Sequence, residues 1–434
     1  MGLPKEYRNG SKYRVASAKV KTLESLLAIK FSGELGMSET ESRLLGDSIG
    51  KWILSGPDLR GPNQIIFEAS KGKNSFSRRY NTVGKIKLTP YDIEDLDLEL
   101  EFGLSTSQTA KIMRMIEEAY VQDASLSAKQ LTLLCTITPT SLRKKLKNLR
   151  ELGVFVPVKG ISLEDRAKKT LFRSTFVMAK YLEETPIAQT RQKLGISAQR
   201  FRNIYSSFTE VAKLAAGGRF ATGDDEELQW ASLATHSAKK LIEKLKETIS
   251  PIRGKCSWDI FGSRLVKDFN LSPIKLLAIK EAVEEILSTL LNDRANGDII
   301  YWAISASEPA GKPLEMSKLV PTVLTLYDPS DMPTALANRD ISRVSDIKFK
   351  KALRLATQAK ACGAYLTYAD LGYLLGIHPV AISRLIKANP KIAVPLRGAS
   401  CDIGCGITHR RNIIKLYLEM HTETSNSFKD RALL

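Results

Sequence analysis

The sequence predicts a mainly α chain with small β elements, an α+β fold built as a tandem duplication of winged-helix, helix-turn-helix units. Three observations predict it. The segment LSAKQLTLLCTITPTSLRKKLK (126–147) recurs without a gap as LTYADLGYLLGIHPVAISRLIK (366–387), the apolar positions coinciding from Leu126/Leu366 to Leu142/Ile382. The stretches on either side of both segments recur in the same order, which a chance match would not reproduce. Helical apolar spacing dominates, and the strand-like runs rich in β-branched and aromatic residues are few and short.

Element by element, the chain opens with a basic arm over 1–21, carrying Lys5, Arg8, Lys12, Arg14, Lys19 and Lys21. The first unit follows over 22–183. Its GMSETESRLLGDSIGKWIL (36–54) matches NLSPIKLLAIKEAVEEILS (270–288), two helices with Ser38 and Ser272 placed to cap them. QIIFEAS (64–70) and DIIYWAI (298–304) are matching strands, and KLTPYD (87–92) and VLTLYD (323–328) are a second matching pair. A helix carrying Lys111 and Arg114, or Lys351 and Arg354, then leads into a helix-turn-helix over 126–150 or 366–388. Both copies continue through an extended stretch, VFVPVKG (154–160) or IAVPLRG (392–398), to an apolar helix with Tyr-Leu-Glu at 181–183 or 417–419. An additional helix-turn-helix is expected over 184–208. A linker spans 209–255, with loop glycines Gly217, Gly218 and Gly223 and a charged helix over 224–250. The second unit covers 256–423 and a tail 424–434.

In the first helix-turn-helix Ala128–Cys135 supports, Thr136–Thr138 turns and Pro139–Arg150 reads. Proline suits the first helical position, where its missing N–H would lack an intrahelical partner anyway. Leu142, Leu146 and Leu149 form the inward stripe. Thr140, Ser141, Arg143, Lys144 and Lys147 face outward, side chains suited to base edges and phosphates. In the second copy Tyr368–Leu375 supports and Pro379–Ala388 reads, with Ser383, Arg384 and Lys387 outward beside the apolar Val380 and Ala381. His378 belongs to the turn. The additional segment places Gln199, Arg200, Arg202 and Asn203, with Ser197, on its outer face; arginine and amide side chains pair with guanine and adenine. Lys159 and Arg397 close the extended stretches, which read either as wings touching phosphate or as strands completing the fold.

These residues resemble a known family. LTYADLGYLLGIHPVAISRLIK, IAVPLRG, DIGCGITHRRNIIKLYLE and DIIYWAISASEPAGKPL are similar to the archaeal and bacterial domain of unknown function 1670, over most of 256–420 and more loosely over 22–208. The resemblance implies a helix-turn-helix regulator without an established activity. The family's D-I-G loop would be carried by Asp402, Gly404, Gly406, Thr408 and His409; the first copy has ISLEDRAKKTLFR there instead.

Lys plus Arg number 65 against 47 Asp plus Glu among 434 residues, a net +18 that favours a polyanionic partner. No apolar run is long enough to cross a membrane. Five scattered cysteines suit a reducing cytoplasm. Cys401, Cys405 and His409, with Cys362 or His378 as a fourth ligand, are the weak zinc candidates, and no cofactor is expected. The acidic run Asp92, Glu94, Asp95, Asp97, Glu99 and Glu101 reads as a solvated loop. Beside it, Glu68 and Lys71 resemble part of a nuclease core, but Trp302 and Ser305 replace them in the second copy. Ala310-Gly311-Lys312-Pro313 lacks the glycine pattern of a phosphate loop. The expected function is therefore non-enzymatic, sequence-specific binding of double-stranded DNA by a nucleoid-associated transcriptional regulator. Its two units would form a pseudo-dimer, alone or within a homodimer or higher oligomer. The alternatives are a plasmid or mobile-element replication initiator and a chromosome-organising protein with little sequence preference.

Overall fold

A computed structural model of the chain describes residues 18–19, 21–54, 59–72, 82–160, 171–216, 257–308, 318–331 and 342–397. The first unit opens on a helical hairpin. Thr22 caps α1 (Leu23–Leu35), and Gly36 ends it in the left-handed conformation at φ 61°. Ser38 then accepts from the Glu41 amide at 3.3 Å to cap α2 (Glu39–Leu54). Helix α1 is absent from the expected elements. Its apolar residues follow no single stripe: Leu23, Leu27, Ala28 and Phe31 share the buried face, but Ile29 is apolar and exposed on another.

β1 (Ile65–Lys71) pairs antiparallel with β2 (Val83–Leu88), Ile65 opposite Leu88. The second strand expected over 87–92 thus lies earlier. After Leu88 the chain turns through Pro90, which has no N–H to give a ladder, to Asp92, the cap of α3 (Ile93–Phe102). The acidic run is therefore a helix and not a solvated loop. Asp92 and Asp95 form a reciprocal capping box, and buried Asp95 takes both guanidinium nitrogens of Arg114 at 2.7 Å. Arg114 lies on α4 (Leu104–Val121), which leads to β3 (Ala124–Ser125) on the other edge of β1, giving the order β2-β1-β3. Two short helices follow, α5 (Ala128–Cys135) and α6 (Pro139–Glu151), then α7 (Arg173–Leu182), α8 (Ile187–Leu194) and α9 (Ala198–Ala216). The last of these continues past the expected end at Phe208.

The second unit repeats this order. α10 (Trp258–Phe269) ends on left-handed Asn270, and Ser272 caps α11 (Pro273–Leu291). β4 (Asp298–Ser305) pairs with β5 (Leu319–Thr325), again earlier than the expected 323–328. α12 (Ser342–Ala361), β6 (Ala364–Tyr365), α13 (Tyr368–Leu375) and α14 (Pro379–Ala388) complete it, with sheet order β5-β4-β6. Arg354 grips Asp331 at 3.0 and 2.9 Å and the Thr325 carbonyl at 3.0 Å, as Arg114 does Asp95 and the Thr89 carbonyl. The expected charged linker helix, the helix at 417–419 and the tail lie outside the described residues, as does the arm up to residue 17.

The two units interlock about a pseudo-two-fold relation. The Ile66 amide donates to the Asn296 carbonyl at 2.7 Å, and the Ile300 amide donates to the Pro62 carbonyl at 2.9 Å. Arg60 donates to the Ala295 and Asn296 carbonyls, while Arg294 returns bonds to the carbonyls of Arg60 and Gly61. Along β4 the side chains alternate between two cores. Ile299, Tyr301 and Ala303 join the main core with both units' short helices; Ile300 and Trp302 join a second core formed by the two hairpins. Trp52, Trp258 and Phe261 stack where α2 meets α10. Among the described residues no helix is long and apolar enough to cross a membrane.

Candidate nucleic-acid interface

Three pairs of short helices share one local construction. In each, the turn begins with a left-handed residue: Thr136 at φ 55°, Gly195 at 60° and Gly376 at 65°. The next residue is a buried isoleucine, Ile137, Ile196 or Ile377, whose amide reaches back to the carbonyl of Thr132, Arg191 or Gly372 at 3.3, 2.9 and 2.9 Å. The third turn residue caps the second helix. Thr138 accepts from the Ser141 amide at 3.2 Å, Ser197 from the Arg200 amide at 3.0 Å, and His378 Nδ1 from the Val380 amide at 3.2 Å. Two of the first helices are capped too, Ser127 with Gln130 and Thr367 with Asp370 forming capping boxes, whereas α8 starts after Pro186 without a side-chain cap. These are bonds within a few residues of sequence, which is why the expected bounds of α5, α8, α13 and α14 coincide with the observed ones.

The second helices bury one stripe and expose the other. Leu142, Leu146 and Leu149 of α6, Ile204 and Phe208 of α9, and Ile382 and Ile386 of α14 are buried. Thr140, Arg143, Lys144 and Lys147 are exposed, and Ser141 is half-buried. On α14, Arg384 and Lys387 are exposed and Ser383 is half-buried; on α9, Gln199, Arg200, Arg202 and Asn203 are all exposed. Lys144 aligns with Arg384 and Lys147 with Lys387, so both copies carry a basic pair on the same face of the same helix. Lys147 has only a weak exposed contact with Glu151 at 3.5 Å. Such a surface pair contributes little and is easily exchanged for a phosphate. Arg143, Lys144, Arg384 and Lys387 have no ion-pair partner among the described residues.

Other expected contacts are placed differently. Lys159 turns onto the sheet and donates to Ser70 Oγ at 2.6 Å; Arg397 donates to the Ser305 carbonyl at 3.0 Å. Both close single parallel bridges, Leu126 to Val158 and Leu366 to Leu396, so the extended stretches complete the fold beside β3 and β6. No antiparallel two-stranded wing follows α6 or α14 among the described residues. Ser197 is buried rather than outward. Arg200 borders a polar recess of about 540 Å³ that Glu94, Glu117 and Glu118 also line, and burial followed by the Asp92 charge raises the Glu94 carboxyl. Arg200 therefore faces carboxylates that Arg143 and Lys144 do not.

Lys21, read as part of the basic arm, is buried instead. Its ammonium meets Asp370 Oδ1 at 2.5 Å, and Tyr301 donates its hydroxyl to the same oxygen at 2.6 Å. Burial alone would raise the Asp370 carboxyl, but the Lys21 charge and these hydrogen bonds hold it below its ordinary range. The zinc candidates Cys401, Cys405 and His409 lie outside the described residues. Cys362 is an exposed free thiol, and His378 commits Nδ1 to its helix cap. Among the described residues no group of three or more His, Cys, Asp or Glu is placed to hold a metal.

The model of the family described as "Protein of unknown function (DUF1670)" matches residues 52–247 and again 265–429. The chain belongs to the DUF1670 family. Each match spans a sheet, the long helix before the paired helices, and the pair itself; the second also takes in α11, whereas the first begins within α2 and leaves α1 outside. In this DUF1670 chain the first match also takes in α8 and α9. No curated protein and no solved structure matches it.

Proposed function

We propose that this chain is a non-enzymatic, sequence-specific double-stranded DNA-binding protein, a transcriptional regulator of the cytoplasm and nucleoid. In this reading the three helix pairs are helix-turn-helix motifs and α6, α9 and α14 are their reading helices. The observation that carries it is the shared, exposed basic character of α6 and α14 at matching positions, Lys144/Arg384 and Lys147/Lys387, where Lys147 alone has an ion-pair partner among the described residues, the exposed Glu151. Elsewhere arginines are held by the protein itself: Arg60 and Arg294 by carbonyls, Arg114, Arg173, Arg191 and Arg354 by carboxylates. Cations left free on one helix face of a chain with net charge +18 suit phosphate oxygens. Base edges would be read by Thr140, Arg143, Gln199, Arg200, Asn203 and Ser383. The different neighbours in the two copies predict an imperfectly repeated site.

Footprinting across the genome tests the role. Protection concentrated at promoters supports the regulator. Protection at a single origin would make it a replication initiator, and even coverage a chromosome organiser. Charge is tested separately by replacing Lys144, Lys147, Arg384 and Lys387 with Gln. Affinity for any duplex should fall, and the slope of log K against log salt should flatten by roughly 0.9 for each phosphate no longer neutralised. An unchanged slope would remove these helices from the interface.

A further inference from the structure

The contacts between the two units are reciprocal. Ile66 matches Ile300 and Pro62 matches Asn296, and the Ile66 and Ile300 amides donate to the Asn296 and Pro62 carbonyls at 2.7 and 2.9 Å. Arg60 and Arg294, also matched, each donate to backbone carbonyls around the other. Contacts that use the same patch on both sides arise from a two-fold rotation; a head-to-tail arrangement would join two different patches. The same rotation governs the paired helices. Lys351 of α12 donates to the Leu133 carbonyl in the last turn of α5 at 3.2 Å. Its match, Lys111 of α4, lies against the end of α13, where a Cβ on Gly376 would be 3.5 Å from Lys111 Nζ. Gln108 of the same helix donates to the Gly376 carbonyl at 3.4 Å. Matching side chains meet only near the axis, and the Lys111 charge acts on Lys351 while both act on Cys135. The axis therefore passes beside both turns. Helices α6 and α14 start at Pro139 and Pro379, straight after those turns, and so leave the axis from the same level.

We infer that the DNA site of this chain is an inverted repeat centred on this axis, and not a direct repeat. The inference rests on the DNA-binding reading proposed above. Duplex DNA has two-fold axes of its own, perpendicular to the helix, and rotation about one carries a half-site onto its inverted copy on the other strand. Two reading helices related by such a rotation meet equivalent base edges only where the half-sites are inverted. A direct repeat would need the second helix pair shifted along the duplex without being turned. The two halves should be alike in their backbone contacts and unlike in their bases. Lys144/Arg384 and Lys147/Lys387 place a phosphate-binding pair on each half. Arg143, suited to guanine, matches Ser383, and Thr140 matches Val380, whose methyl groups suit thymine.

The test is selection of bound duplexes from a random-sequence DNA library by the full chain. Affinity is then measured for the selected duplex and for the same duplex with one half-site turned round. Two inverted blocks at constant spacing are expected, with a loss of roughly ten-fold or more when one block is turned. A second selection uses Val380→Thr, Ala381→Ser, Ser383→Arg and Arg384→Lys together, which copies the outer face of α6 onto α14. With unchanged circular dichroism, this variant should select a perfect inverted repeat. A folded variant that still selects the parent's unequal site would overturn the assignment of α14 to one half. Direct repeats, a single block, or equal affinity for the two arrangements would overturn the inverted site while leaving sequence-specific binding intact. Enrichment of no sequence would instead remove the DNA reading itself, and the inverted site with it.

Discussion

Lys21 and Asp370 are 349 positions apart in sequence, yet their side chains form the most deeply buried ion pair among the described residues. Removing one member of such a pair strands the other charge in a medium that solvates it poorly. Lys21→Met should therefore cost about 3–5 kcal/mol in denaturant unfolding. Asp370→Asn, which keeps an acceptor for Tyr301, should cost less. A loss within surface-mutation range for Lys21→Met would mean that the pair is solvated. Lys351 behaves differently. It is buried against the first unit, donates to the Leu133 carbonyl at 3.2 Å, and burial lowers its ammonium to about 8. An unfolded lysine titrates near about 10.4, so between these values the unfolded chain holds the extra proton and stability rises with pH. Below about 8 both states are charged and the slope from this group vanishes. Urea unfolding from about pH 8 to 10 should show this rise, flattened in Lys351→Met; an identical slope in the variant would place the titration elsewhere.

At the scale of elements, the three turns were legible because their determinants are local. An isoleucine and a capping side chain stand side by side in all three, after a glycine suited to the left-handed conformation in Gly195–Ser197 and Gly376–His378; in Thr136–Thr138 a β-branched threonine takes that conformation against its own preference. Gly195 carries a further constraint: a Cβ there would lie 2.8 Å from both the Ala110 amide nitrogen and the Thr106 carbonyl oxygen. The turn of the additional pair rests directly on the α4 backbone, and neither atom is a side chain that can swing aside. Gly195→Ala should thus loosen α8 and α9 from the body by at least roughly 1–3 kcal/mol. Faster amide exchange in those helices than elsewhere would show it, and uniform exchange would argue against that docking. Elements governed by what packs on them were harder to read. α1 lacks a one-sided apolar stripe, the alternating DLDLELE run of α3 resembles a strand or an acidic loop, and β3 is two residues long. Nothing local specifies that Arg114 will draw Asp95 inside.

For the whole molecule, the reciprocal bonds from Ile66 to Asn296 and from Ile300 to Pro62 make the two units one body. The main core draws residues from both, and the second core needs both hairpins. Halves expressed separately, cut between residues 216 and 257, should aggregate or unfold because each exposes half of two cores. Co-expressed, they should purify together as a complex. A well-folded, monomeric isolated half would contradict this interlocking. DNA bound by such a body would meet two reading helices held at a fixed relation, so changing the spacing between half-sites by half a helical turn should lower affinity sharply.

By itself the sequence determined the duplication, the mainly helical α+β class, the bounds of α5, α8, α13 and α14, and the exposed basic faces of α6 and α14. All of these rest on short-range periodicity, caps and turn chemistry. Tertiary structure alone decided that Lys21 is a core residue, that Lys159 and Arg397 close onto the sheets, and that Arg200 borders carboxylates. Each of these depends on which distant partner supplies the opposite charge or the missing hydrogen bond, and for the hydrogen-bonded ones that choice falls among groups from 89 to 349 positions apart.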